Sequence, residues 1–133
     1  MIRDNKIILK LEDILMGLFG KKKAKQASEA ISELKIDTSK NGEELIVKLR
    51  GRLDTITSPD LEDRLNEEMN GIRKLIFDLE KLDYLSSAGL RVLLGASQQI
   101  DEVEGEMLIR NVTKPVRVVF DLTGFDTAFN IEE

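Results

Sequence analysis

The segment that most constrains the fold is the short, nearly continuous apolar run at residues 74–79. Such a run is typical of a strand at the centre of a sheet, covered on both faces. It is followed by Ser86-Ser87-Ala88-Gly89 and then by apolar residues at helical spacing, which predict a helix to Ile100. A buried strand that leads through a loop into a helix indicates an α/β fold.

The flanking segments continue this alternation of strands and helices. Apolar and polar residues alternate on both sides of a turn expected at Ser39-Lys40-Asn41-Gly42, which predicts a β-hairpin over residues 34–49. Ser58 as N-cap and Pro59 in the first turn predict a helix that Asn70-Gly71 ends. We expect a strand at 107–110, a helix from Pro115 to Gly124 and a last short strand at 127–130.

These elements together predict an α/β sandwich, with a mixed central sheet of four to five strands and helices packed on it. We expect the domain to span residues 34–133, and residues 1–33 to form an N-terminal amphipathic helix and linker. Within that extension, residues 7–19 carry apolar side chains at three- and four-residue spacing. This helix would dock on the domain's own core, form a homodimer or touch a membrane; Glu12 and Asp13 disfavour the membrane.

Composition excludes most enzyme classes. The 133 residues include no cysteine and no histidine, so thiolate chemistry and the commonest general base and metal ligand are absent. We therefore expect no enzyme, no metal site and no cofactor. The net charge of −5 disfavours nucleic-acid binding, although residues 1–25 sum to +4. No apolar stretch is long enough to span a membrane and the start does not resemble a secretory signal, so a cytoplasmic protein is expected.

Three separated motifs carry a family resemblance. Residues 51–58, Gly-Arg-Leu-Asp-Thr-Ile-Thr-Ser, resemble the element that follows the second strand of STAS domains. Residues 77–90, from Phe77-Asp78-Leu79 to Ser86-Ser87-Ala88-Gly89-Leu90, are similar to that family's strand, phosphorylation loop and helix. Gly105-Glu106-Met107, Asn111, Val116 and Gly124-Phe125 occur where the family has its fourth strand and the following helix.

The resemblance implies a bacterial anti-sigma factor antagonist that is regulated by phosphorylation. Its partner would be an anti-sigma factor that is also a GHKL-type serine kinase, and phosphorylation would release it. A PP2C-type phosphatase would restore binding. Ser87 matches the family's phosphoacceptor; the family usually has Asp at the preceding position, so Ser86 is an alternative acceptor here. The alternative function is a STAS scaffold subunit of a stress-signalling or transport assembly, without the switch.

The resemblance also implies a partner surface around the serine loop. We expect it to include the following residues: Asp54, Thr57, Ser86, Ala88, Gly89 and Arg91. Taken by themselves, two serines before a helix are also a common N-cap, and Asp54 is equally a turn cap after its strand. STAS proteins usually continue into a C-terminal helix after the last strand. This sequence has no such helix after its expected last strand, because it stops at Glu133. We therefore expect the N-terminal helix to cover the same part of the sheet, in the same chain or swapped into a neighbour.

Overall fold

The computed structural model describes residues 33–132, which build one mixed sheet. Its strands are β1 (Leu34–Asn41), β2 (Glu44–Leu53), β3 (Lys74–Leu85) and β4 (Glu106–Arg110), in the spatial order β1-β2-β3-β4. β1 and β2 are antiparallel, whereas β3 is parallel to both of its neighbours. The predicted mixed sheet with its hairpin and central apolar strand is confirmed, and β3 is twice as long as the apolar run that predicted it.

Helices connect the parallel strands. They are α1 (Ser58–Glu68), α2 (Ser87–Glu102), α3 (Lys114–Thr123) and the single turn α4 (Phe125–Ala128). α1 joins β2 to β3 and α2 joins β3 to β4, each moving one position along the sheet in the same direction. Right-handed crossovers in one direction place both helices on the same face of the sheet. The core lies between that face and the helices.

The alternation within β2 shows how the sequence divides the two faces. Leu45, Val47 and Leu49 are buried, while the intervening Lys48 and Arg50 are exposed. Period-two alternation gives a strand one apolar face and one polar face. Leu53 continues the buried set to the carboxyl end of the strand, where the candidate site begins.

The hairpin and the start of α1 differ in detail from the prediction. Ser39 and Lys40 were expected in the turn, but they pair with β2, and the turn consists of Gly42 and Glu43 alone. Gly42 has φ of 65°, a conformation that glycine adopts without steric cost. The N-cap of α1 is Thr57 rather than Ser58; Ser58 is already helical and its Oγ donates to Asp54 O at 2.6 Å.

The predicted last strand at 127–130 is wrong. Gly124 takes the left-handed conformation, with φ of 83°, and the chain then forms α4. Phe125 and Phe129 are four residues apart and their rings pack edge to face, with centroids 4.9 Å apart. Phe129 also packs against Phe120 of α3. Ring burial therefore decides the local structure, and the pairing with β4 occurs later, at a single parallel bridge to Ile131.

The predictions for the N-terminal extension lie outside the described residues. They include the amphipathic helix at 7–19, the linker to residue 33, the homodimer and the replacement of a C-terminal helix. Among residues 33–132, no helix has the length and hydropathy needed to cross a membrane.

Candidate functional site at the carboxyl ends of β2 and β3

Two loops meet at one edge of the sheet. β2 and β3 are parallel and end in register, with Leu53 paired to Leu85. Ser86 N, directly after β3, donates to Leu53 O at 2.9 Å. The carboxyl ends of parallel strands are a common position for functional loops in α/β proteins. The turn after β2 and the serine loop after β3 are therefore neighbours.

The turn after β2 is organised by the carboxylate of Asp54. Its Oδ1 accepts hydrogen bonds from Ile56 N at 3.0 Å and Thr57 N at 3.1 Å. The Thr57 hydroxyl accepts from Asp54 N at 2.9 Å and donates to Arg52 O at 2.8 Å. An aspartate that binds backbone N–H groups two and three residues later fixes a turn. The alternative interpretation of Asp54 as a turn cap is therefore what the geometry shows.

A basic and an aromatic side chain support this turn. Arg52 Nε lies 3.6 Å from Asp54 Oδ2, and the Arg52 guanidinium stacks 4.1 Å from the ring centroid of Tyr84 on β3. Arginine over an aromatic face is an attractive arrangement. The Asp54 carboxylate is thus held from both sides, by backbone N–H groups on one oxygen and by Arg52 beside the other.

The loop after β3 is an N-cap followed at once by helix. Ser86 is extended, and its Oγ accepts from Gly89 N at 3.4 Å, while its carbonyl accepts from Leu90 N at 3.0 Å. Ser86 is therefore the N-cap of α2. Ser87 is the first residue of α2 and is half-buried, whereas Ser86 is only 9% exposed. Ser87 thus lies at the positive end of the helix dipole.

Gly89 permits close contact between α2 and the two strands. A Cβ atom at this position would lie 2.7 Å from Leu85 Cδ1 and 2.8 Å from Leu53 Cγ. Real Cβ atoms do not approach other carbons so closely. Gly89 therefore serves close packing between α2 and the strands, at some cost in helix propensity.

The predicted partner-binding residues divide into supporting and exposed positions. Asp54, Thr57, Ser86 and Gly89 are buried. They therefore form the interior of this edge. Thr57 and Gly89 expose too little surface for the direct partner contact that was predicted for them. Ala88 is half-buried and Arg91 is exposed. The six predicted residues do lie together around the serine loop and the turn beside it.

Two surface residues at this edge escaped the sequence analysis. Ile56 is 65% exposed and Tyr84 is 37% exposed. Ile56 has no periodic pattern to mark it, because it lies inside a turn. Its signal was its place within the Asp-x-x-Thr segment, where the fixed side chains on each side leave the intervening residue outside. Among residues 33–132, no cluster of acidic side chains is arranged to hold a metal ion.

Comparisons with known proteins agree with this architecture. The family model described as the STAS domain matches residues 35–133. BtrV of Bordetella bronchiseptica, which is named as an anti-sigma factor antagonist, is 38% identical over 88 residues; the match covers 65% of this chain and 76% of BtrV.

Solved structures give the same fold. The unphosphorylated form of the anti-sigma factor antagonist SpoIIAA superposes with a TM-score of 0.66 at 20% identity, covering 74% of this chain and 89% of SpoIIAA. The phosphorylated form of SpoIIAA from Bacillus superposes with a TM-score of 0.60 at 19% identity, covering 74% of this chain and 92% of that one. At these identities the two structures establish the fold alone.

Proposed function

The chain belongs to the STAS domain family, and we propose that it is an anti-sigma factor antagonist whose binding is switched off by phosphorylation of Ser87. It binds an anti-sigma factor that is also a GHKL-type serine kinase and thereby frees a sigma factor. A PP2C-type phosphatase returns it to the binding form. It acts by binding and has no catalytic activity of its own.

The observation that carries this proposal is the placement of Ser87. It begins α2 at an edge of the sheet, beside the ordered turn of Asp54. The helix terminus tolerates a phosphate, because its dipole and its first N–H groups favour negative charge. A phosphoryl group adds about −1.5 to −2 charges near neutral pH. The fold would therefore survive while the partner's contact with this edge is lost, as a reversible switch requires.

The geometry favours Ser87 over Ser86 as the acceptor. The Ser86 hydroxyl is buried and already engaged as the N-cap of α2. Its modification would remove a cap, whereas Ser87 has part of its surface open to a kinase. In the transfer, Ser87 Oγ forms a bond to the γ-phosphorus of ATP, the bond to the β-phosphate oxygen breaks and ADP leaves. The hydroxyl proton passes to a base of the kinase.

The proposal is tested by intact-mass and phosphopeptide spectrometry of the protein isolated from its native host, grown with and without stress. We expect a species carrying one phosphoryl group on Ser87. Ser87→Ala should abolish that species, and Ser86→Ala, the matched control, should retain it. A chain that is never phosphorylated and copurifies in a stable assembly would refute the switch and favour the scaffold function.

A further inference from the structure

We propose that Ile56 is the apolar anchor through which the kinase partner holds this edge of the sheet. The Ile56 side chain would enter an apolar pocket on the surface of the protein that phosphorylates Ser87. This inference rests on the proposed function, because it names the contact that precedes phosphorylation. The proposed contact is made by Ile56, whose side chain takes no part in the hydrogen bonds that form the turn.

The exposure of Ile56 is unusual for so large an apolar side chain. Ile56 is 65% exposed, the highest value among the large apolar residues of the described chain. The other exposed ones are Leu122 at 61%, Val118 at 53%, Val103 at 44% and Tyr84 at 37%. A single exposed apolar residue is ordinary by itself. The support beneath Ile56 and its place in the fold set it apart from the others.

Ile56 is held in a fixed position by its neighbours. Its N–H donates to Asp54 Oδ1 at 3.0 Å, and the other carboxylate oxygen lies beside Arg52. Arg52 in turn stacks on Tyr84. This series of contacts anchors the turn to both β2 and β3, so the side chain is presented from an ordered backbone. A residue fixed before binding loses little conformational entropy on binding, which is how an effective anchor is built.

The position of Ile56 connects anchoring with the switch. Ile56 follows Asp54 by two residues, and Ser87 follows Ser86, whose N–H is bonded to Leu53 O. A protein that covers Ile56 is therefore brought to the same edge as Ser87. Once Ser87 is phosphorylated, a partner that covers both Ile56 and Ser87 would have to desolvate the new charge. Phosphorylation would therefore weaken the contact that Ile56 makes.

The test measures the rate at which clarified extract of the native host, supplied with ATP, phosphorylates Ser87 of the purified chain at subsaturating concentration. Ile56→Ala keeps the backbone N–H that Asp54 binds, and it should slow phosphorylation at least tenfold. Leu122→Ala, the matched control, removes an equally exposed apolar side chain from α3 and should change the rate less than twofold. Ile56→Val retains a branched apolar side chain and should keep most of the rate.

Each outcome decides a different point. An Ile56→Ala rate equal to that of the unmodified sequence overturns the anchor but leaves phosphorylation of Ser87 intact. Equal losses in Ile56→Ala and Leu122→Ala also overturn it, because the effect would not be local. Absence of phosphorylation in every chain refutes the proposed function, and the anchor with it. Urea unfolding of all three variants, expected to match the parent chain, separates lost binding from lost structure.

Discussion

Replacing Gly89 with alanine tests whether close packing of α2 on the strands explains this glycine. The added methyl group would meet Leu85 and Leu53, both of them fully buried. Gly95, six residues later in the same helix, provides a matched control. A Cβ atom there meets nothing within 4 Å, and the residue is exposed.

The size of the effect follows from two opposing terms. Alanine gains up to about 1 kcal/mol over glycine in a helix, while overpacking a filled core costs about 1–3 kcal/mol. We expect Gly95→Ala to raise the free energy of unfolding by about 0.5–1 kcal/mol, because only the first term applies. Gly89→Ala should lower it, and the two variants should differ by about 1–3 kcal/mol, since the propensity gain largely cancels between them.

Urea unfolding followed by circular dichroism at the helix band provides the assay. With a denaturant slope of about 1–2 kcal/mol per molar urea, this difference separates the midpoints by about half a molar or more. If both variants raise the midpoint equally, Leu53 and Leu85 move aside without cost. The packing explanation of Gly89 would then be refuted.

Three further predictions concern the loops and the carboxyl end of the domain. Asp54→Ala should lower the free energy of unfolding by about 1–3 kcal/mol, because two backbone N–H groups lose their acceptor; Asp54→Asn, which keeps an oxygen, should lose less in the same urea titration. Ser86→Ala should lower the free energy of unfolding by about 0.5–2 kcal/mol, because α2 loses its N-cap. Ser87→Ala should change it by no more than about 0.5 kcal/mol, and equal losses in the two variants would contradict the assigned cap. Phe129→Ala should lower the free energy of unfolding by about 3 kcal/mol or more, because the ring contacts are lost. The measurement is the melting temperature, which should fall; an unchanged value would show that the ring cluster does not stabilise the domain.

How much of this structure the sequence could predict depended on the range of the interactions. The alternation around Asn41-Gly42 and the apolar run in β3 are local patterns, and both predicted their strands correctly. Residues 127–130 were predicted as a strand because the helix found there depends on Phe129 packing against Phe125 and against Phe120 of another helix. Contacts between distant side chains are not visible in local periodicity.

The candidate site shows the same division at the level of single residues. The motif residues lie together at one edge of the sheet, because glycine, serine and aspartate are the residues that build a turn and an N-cap. The motif did not separate residues that build the edge from residues that face outward. Thr57 was predicted as a contact and is 4% exposed, whereas Ile56 beside it was not predicted and is 65% exposed.

This division has a consequence for partner choice. Several residues that carry the family resemblance at this edge are buried. Asp54 and Thr57 hydrogen-bond to each other, and Gly89 packs against the strands. They fix where the edge lies and leave little surface with which to discriminate partners. The side chains that a partner can reach lie beside them, above all Ile56 in the turn and Arg91 in α2. For the proposed kinase partner, specificity should therefore follow the exposed residues of the two loops, while the buried motif residues keep those loops in place.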